Sequence, residues 1–63
     1  MKNIMENIRI KNTIHFLEYG MISYIETIEQ LLNLWKDGHI TIDQFEKAVK
    51  IAVKANDKLK KMN

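Results

Sequence analysis

Apolar residues recur at alternating intervals of three and four along the middle of the chain, and this spacing restricts the chain to helical folds. At about 100° per residue the repeated positions share one helix face, an arc of roughly 100°. Such a face must be covered by another helix, as in helix bundles and coiled coils. The repeat consists of Ile10, Ile14, Leu17, Met21, Tyr24, Ile28, Leu31 and Trp35.

The predicted first helix covers about residues 4–37, and two features of the sequence leave its continuity open. Asn3 and Glu6 are spaced as a capping box, which favours a helix start directly after the asparagine. Residues 8–11, in contrast, alternate between apolar and basic side chains like a short strand. Gly20 would cost about 1 kcal/mol relative to alanine inside a helix. A break near residue 12 or near Gly20 is therefore the alternative to one long helix.

A tight turn is predicted at residues 38–41. Gly38 follows the last apolar position of the first stripe, and glycine takes the left-handed conformation that commonly ends a helix. Thr41 and Gln44 then form the spacing of a capping box, and Ile40 and Phe45 that of a hydrophobic staple. A connection this short makes the helices on its two sides antiparallel neighbours.

The second helix is predicted over residues 42–61, with an apolar inner side and a basic outer side. Three alanines on the inner side allow a neighbouring helix to approach closely. The inner side comprises Phe45, Ala48, Val49, Ala52, Ala55, Leu59 and Met62. The basic side, an arc of roughly 80° that we call the lysine stripe, comprises Lys47, Lys50, Lys54, Lys58 and Lys61.

The length of the chain predicts that it obtains stability from a second copy. Sixty-three residues bury too little surface to be comfortably stable alone. The sequence has no cysteine for disulfides, and its two histidines lack the spacing of a structural zinc site. Oligomerisation is the remaining common solution for small scaffolds. We therefore expect an all-α antiparallel helical hairpin that pairs into a dimeric four-helix bundle; the alternative is a monomeric three-helix bundle.

The expected dimer interface combines the two apolar stripes, because one hairpin shields only one side of each. Fully burying each large apolar side chain is worth about 1.5–3 kcal/mol, which favours a second hairpin on the exposed side. The predicted interface residues are Ile14, Leu17, Met21, Tyr24, Ile28, Leu31, Trp35, Phe45 and Val49.

No constellation of residues indicates an enzyme, a cofactor site or a metal site. His15 and Glu18 share a helix face, but one such pair is at best half of a carboxylate metal site, and a solvated pair is the favoured interpretation. His39 falls in the predicted turn. Ser23, the single serine, is placed in mid-helix by the apolar repeat and has no histidine and aspartate to form a nucleophilic set.

Two surfaces are candidates for partners other than a second copy. The lysine stripe could follow a nucleic-acid backbone, although a solvated face with Glu46–Lys50 and Asp57–Lys61 ion pairs is the favoured interpretation. The other surface is apolar and lies off the main apolar repeat. Its residues would either pack in the core or form a docking site for a different protein. It consists of Phe16, Tyr19 and Leu34.

The segment IEQLLNLWKDGHITIDQFEKAVK, residues 28–50, resembles the short helical SHOCT domain. The matching positions are Leu31, Leu34, Gly38, Ile40, Thr41, Phe45 and Glu46. The segment departs from the pattern at residues 42–44, which replace a run of glutamates, and it lacks the terminal pair of leucines. The resemblance covers just over a third of the chain and implies a small accessory or oligomerising helical hairpin without catalytic residues.

These observations predict a small non-catalytic protein–protein interaction module. It would associate with itself and act as a regulator or inhibitor that docks a helical face on a larger protein; a nucleic-acid-binding helical dimer is the alternative. Such a chain would suit a phage, plasmid or bacterial accessory protein. No signal peptide and no apolar run of about 20 residues is visible, so we expect a cytoplasmic protein without a membrane partner.

Overall fold

Helices form where the sequence supplies both a start signal and an apolar stripe. The computed structural model describes residues 7–62, with side chains as far as Lys61. Within this range the fold consists of three helices and no strand: α1 (Ile8–Glu18), α2 (Tyr24–Lys36) and α3 (Ile42–Met62). Each helix packs against the other two. The predicted all-α class is confirmed, and the packing within the chain is that of a three-helix bundle.

The first helix begins at Ile8. Asn7 has an extended backbone and its side-chain oxygen accepts from the amides of Arg9 and Ile10, at 3.1 and 3.3 Å. This cap sets the helix start, because a capping residue lies outside the helix it begins. A helix running through Asn7 is therefore wrong, as is the strand alternative for residues 8–11. The predicted capping box of Asn3 and Glu6 lies outside the described residues.

The long helix predicted over residues 4–37 is interrupted after Glu18. Gly20 has a φ of 73°, the left-handed conformation that glycine adopts without strain. The Met21 amide then donates to the Phe16 carbonyl at 2.8 Å, which closes the last turn of α1 in a Schellman motif. The break at Gly20 is therefore the correct alternative, and one helix that continues through Gly20 is wrong.

The second helix starts from Ser23, which the apolar repeat had placed in mid-helix. The Ser23 hydroxyl accepts from the Glu26 amide at 3.1 Å, and the Glu26 carboxylate accepts from the Ser23 amide at 3.3 Å. This reciprocal pair is a capping box. The mid-helix prediction for Ser23 was wrong because apolar spacing continued through the break while the hydrogen-bonding residues marked a new start.

The α2–α3 turn confirms the predicted glycine stop and the predicted capping box. Gly38 has a φ of 79°, and the amide of His39 donates to the Leu34 carbonyl at 2.9 Å. The Thr41 amide donates to the Gln44 side chain at 2.9 Å, and the Gln44 amide donates to the Thr41 hydroxyl at 3.1 Å. This second capping box starts α3, so α2 and α3 form an antiparallel hairpin. Its turn has the same construction as the one between α1 and α2.

The core lies where the three helices meet. It consists of Ile10, Ile14, Leu17, Leu31, Ile40, Ala48, Ala52 and Ala55. The three alanines give α3 a narrow inner side, which lets α1 and α2 approach it closely. Two threonines are also buried, and each is satisfied within its own helix: the Thr13 hydroxyl donates to the Arg9 carbonyl and the Thr27 hydroxyl to the Ser23 carbonyl, both at 2.9 Å.

Candidate interaction surfaces

The nine predicted interface residues fall into three groups that differ in how deeply the structure buries them. Ile14, Leu17 and Leu31 are fully buried inside the bundle, where α1 covers the middle of the hairpin. Met21 and Trp35 are exposed, and Met21 lies in the α1–α2 turn rather than on a helix. The remaining four are half-buried: Tyr24, Ile28, Phe45 and Val49.

A second apolar stripe runs along α2 beside the buried one. Its members are Ile25, Ile28, Leu32 and Trp35, spaced by three, four and three residues. On a helical projection they lie about 40–120° to one side of buried Leu31. Ile25 is 69% exposed and Trp35 is 40% exposed. This flank of α2 is therefore apolar and accessible to solvent.

A matching stripe runs along α3. Its members are Ile42, Phe45, Val49 and Val53, spaced by three, four and four residues. They lie about 60–140° to one side of buried Ala48 on the same projection. Ile42 is 48% exposed and Val53 is 40% exposed. The long α3 thus also presents apolar side chains to solvent on one flank.

The two stripes lie on the same side of the hairpin. The rings of Trp35 and Phe45 stack with their centroids 5.7 Å apart and an interplanar angle of 29°, which joins the stripes near the turn. The opposite flank of α3 faces α1, since Glu18 lines a small depression together with Lys58. The outer side of the hairpin, away from α1, is therefore continuous. We call it the hairpin face: Ile25, Ile28, Leu32, Trp35, Ile42, Phe45, Val49 and Val53.

Exposed charges border the hairpin face on both of its long edges. Glu29 and Lys36 stand on the α2 edge, and Glu46 and Lys50 stand on the α3 edge. Each edge carries both negative and positive side chains, while the eight residues between the edges carry no charge. An apolar centre with a charged rim is the common anatomy of a protein–protein interface.

All five residues of the lysine stripe are exposed. Lys47 forms an ion pair with Asp43 at 3.1 Å, the one ion pair among the side chains of residues 7–61. The predicted pairs Glu46–Lys50 and Asp57–Lys61 are not formed in this range, so that part of the prediction is wrong. Four lysines of the stripe thus extend into solvent without a carboxylate partner among the described side chains.

The other singled-out residues do not assemble a chemical site. His15 packs near Tyr19, with ring centroids 6.0 Å apart, on the same helix as Glu18. Over residues 7–61, no three histidine or acidic side chains come close enough together to hold a metal ion. Phe16 and Tyr19 are exposed, whereas Leu34 packs on the core. The predicted three-residue surface is thus reduced to its two aromatic members.

The hairpin face contains four residues that the predicted interface omitted: Ile25, Leu32, Ile42 and Val53. A signal for the first two was present, because Ile25, Ile28, Leu32 and Trp35 follow helical spacing as closely as the main repeat does. The main repeat is longer and therefore dominates the pattern. Four members of the main repeat, Ile10, Ile14, Leu17 and Leu31, are instead buried inside the bundle.

Comparison with known proteins gave no relative for this chain: no family model matches it, and neither does any curated protein or solved structure. The resemblance to the SHOCT domain therefore remains a similarity of residue pattern over residues 28–50. In the part of the chain that the structure describes, no helix has both the length and the apolar character needed to cross a bilayer.

Proposed function

We propose that this chain is a non-catalytic interaction module that docks its hairpin face on another protein, as a small regulator or inhibitor does. The observation that carries the proposal is the continuity of eight apolar residues across two helices on the side that α1 leaves open. A contiguous apolar patch of this kind, bordered by charges, marks an interaction site in soluble proteins. Both a foreign protein and a second copy are occupants of the right chemistry, and in the second case α2 and α3 of the two copies would form a four-helix bundle.

The energy available from covering this face is substantial for so small a chain. The exposed fractions of Ile25, Trp35, Ile42 and Val53 together equal about two whole apolar side chains. At about 1.5–3 kcal/mol for each fully buried side chain, covering them contributes about 3–6 kcal/mol. The unfolding free energy of a 63-residue domain is itself about 3–9 kcal/mol. Burial of the face is therefore comparable with the energy that holds the fold together.

A matched pair of substitutions tests this proposal. Ile25→Asp places a charge on the hairpin face, and Ile8→Asp makes the same change on α1, outside the face. The two isoleucines are 69% and 63% exposed and both stand in the first turn of a helix, where aspartate is tolerated equally well. Circular dichroism should therefore show both variants folded.

The readout is affinity capture from host extract with tagged wild type and both variants. We expect wild type and Ile8→Asp to retain the same bound proteins and Ile25→Asp to lose them. Equal retention by all three proteins would exclude the hairpin face as the docking site.

The lysine stripe supports nucleic-acid binding as a second candidate function. The supporting observation is that Lys50, Lys54, Lys58 and Lys61 extend into solvent without ion pairs among the described side chains. Each lysine that neutralises a phosphate adds about one to the slope of binding affinity against salt on logarithmic axes. The modest net charge of +2 ranks this candidate below protein docking.

Electrophoretic mobility shifts with mixed DNA and RNA at two salt concentrations test this candidate. Charge reversal of Lys50 and Lys54 should lower the affinity and flatten the salt slope by about two. Reversal of Lys36 and Lys60, which stand off the stripe, makes the same change in net charge and serves as the control. Absence of any shift at low salt would eliminate nucleic-acid binding.

A further inference from the structure

We infer that the occupant of the hairpin face is a second copy of this chain, packed about a two-fold axis parallel to the helices so that α2 of each copy lies over α3 of the other. The inference rests on the proposed docking role of this face and names its partner. The supporting observations are the dimensions of the face and the order of the charges along its edges.

The dimensions of the face suit an interface between two hairpins. The 13 residues of α2 span about 20 Å, and two adjacent helices are about 20 Å wide. The projected area is thus roughly 400 Å² per copy, which falls in the class of small, transient interfaces that bury less than about 1,200 Å² in total. An identical hairpin presents a face of the same length and width, so it can cover the whole face.

The register of the two helices sets the positions of the edge charges. Trp35 stacks on Phe45, and α2 and α3 run in opposite directions. Moving away from this stack by five residues along both helices places Gln30 at the same level along the hairpin as Lys50. Lys36 and Glu46 therefore lie at the turn end of the face, on opposite edges, and Glu29 and Lys50 lie near its middle, also on opposite edges.

A two-fold axis parallel to the helices brings each edge against the opposite edge of the partner, at the same level. Lys36 then faces Glu46 of the second copy, and Glu29 faces Lys50 of the second copy. Symmetry repeats both pairs, so four pairs of opposite charge surround the apolar centre. Complementary rim charges of this kind fix the orientation of an interface more than they add affinity.

The other two-fold arrangement sets like charges together. An axis perpendicular to the helices, through the centre of the face, lays α2 on α2 and α3 on α3. Glu29 then meets its own copy and Lys50 meets its own copy near the axis. Juxtaposed like charges disfavour an interface, so the charge order selects the arrangement with both turns at the same end.

Sedimentation and tryptophan fluorescence test whether a second copy occupies the face. We expect wild type and Ile8→Asp to form dimers as concentration rises, and Ile25→Asp to remain monomeric at concentrations at least tenfold higher. Trp35 is the one tryptophan in the sequence and should shift to shorter emission wavelength as the dimer forms, because its exposed ring becomes covered.

The outcomes of this experiment separate the inference from the proposed function. A wild type that stays monomeric at millimolar concentration overturns the second-copy inference, while the capture experiment with Ile25→Asp still decides whether the face docks a different protein. A dimer that tolerates Ile25→Asp overturns the assignment of this face as the dimer interface.

Introduced cysteines test the arrangement, since the natural sequence has none. A chain carrying both Lys36→Cys and Glu46→Cys should give a covalent dimer with a short thiol cross-linker, and Lys36→Cys alone should not. The width of the face keeps the two positions too far apart for a link within one chain. Glu29→Cys should remain monomeric on a denaturing gel. Efficient linking of Glu29→Cys without linking of the double variant would overturn the parallel-axis arrangement.

Discussion

Replacing Leu31 with alanine should remove a large part of the stability of the fold. Leu31 is fully buried between α2 and the two other helices, at the centre of the core. Truncation of a buried leucine to alanine costs about 2–5 kcal/mol, because apolar contact is lost and a cavity remains. The total unfolding free energy expected for 63 residues is about 3–9 kcal/mol. For a domain of this size each kcal/mol lowers the melting temperature by about 8 °C, so Leu31→Ala should lower it by at least about 15 °C.

The measurement is thermal and urea denaturation followed by circular dichroism, with Leu32→Ala as the matched control. Leu32 is the next residue on the same helix, but it is half-buried and points to the hairpin face rather than into the core. Both variants are compared at low protein concentration, because self-association would add a concentration-dependent term to the apparent stability. Equal losses for Leu31→Ala and Leu32→Ala would refute the assignment of the core. Leu31→Asp, which buries an unpaired charge, should leave no folded population.

Three smaller effects follow from the turns and the surface. Ser23→Ala removes the cap of α2 and should lower the unfolding free energy by about 1 kcal/mol; an unchanged urea midpoint would argue against the cap. Gly20→Ala puts a side chain on a residue with left-handed backbone and should lower the unfolding free energy by about 1–2 kcal/mol, although no atom obstructs the added methyl group. A variant more stable than wild type would contradict the positive φ of Gly20. Lys47→Ala breaks an exposed ion pair with Asp43 and should change the unfolding free energy by less than about 0.5 kcal/mol; a larger loss would mean that the lysine has another role.

The α2–α3 turn was predictable because several local signals coincide there. Gly38 ends one helix, Thr41 and Gln44 start the next, and Ile40 is buried beside the turn. Each signal acts within a few residues of chain, so no knowledge of tertiary packing is needed to interpret it. The same is true of α3, whose start at Ile42 agrees with the prediction.

The break between α1 and α2 was predicted only as an alternative, although the sequence contains the same turn signal there as between α2 and α3. The turn residues Gly38, Ile40, Thr41 and Gln44 have counterparts at the same spacing in Gly20, Ile22, Ser23 and Glu26. Apolar periodicity concealed this second occurrence, because Leu17, Met21 and Tyr24 keep a helical interval across a segment that is not helical. Periodicity reports which residues share a face only if the chain between them is one helix.

The candidate interaction surface was predictable only in part, since sequence gives the stripes but not which helix covers each of them. Four residues belong both to the predicted interface and to the hairpin face: Ile28, Trp35, Phe45 and Val49. Leu31 was assigned to a contact between copies, whereas the chain buries it with its own α1. That choice depends on the direction that the chain takes after Gly20, because this direction sets how α1 lies on the hairpin, which is a tertiary property.

The similar construction of the two turns also affects how quickly the chain folds. In each turn, the glycine that ends one helix and the capping box that starts the next lie within seven residues, Gly20 to Glu26 and Gly38 to Gln44. Each helix boundary can therefore form before distant parts of the chain meet. Proteins dominated by such short-range contacts fold in microseconds to milliseconds. The chain has no proline to impose slow isomerisation. Refolding of this small bundle should therefore be complete within milliseconds, in a single kinetic phase.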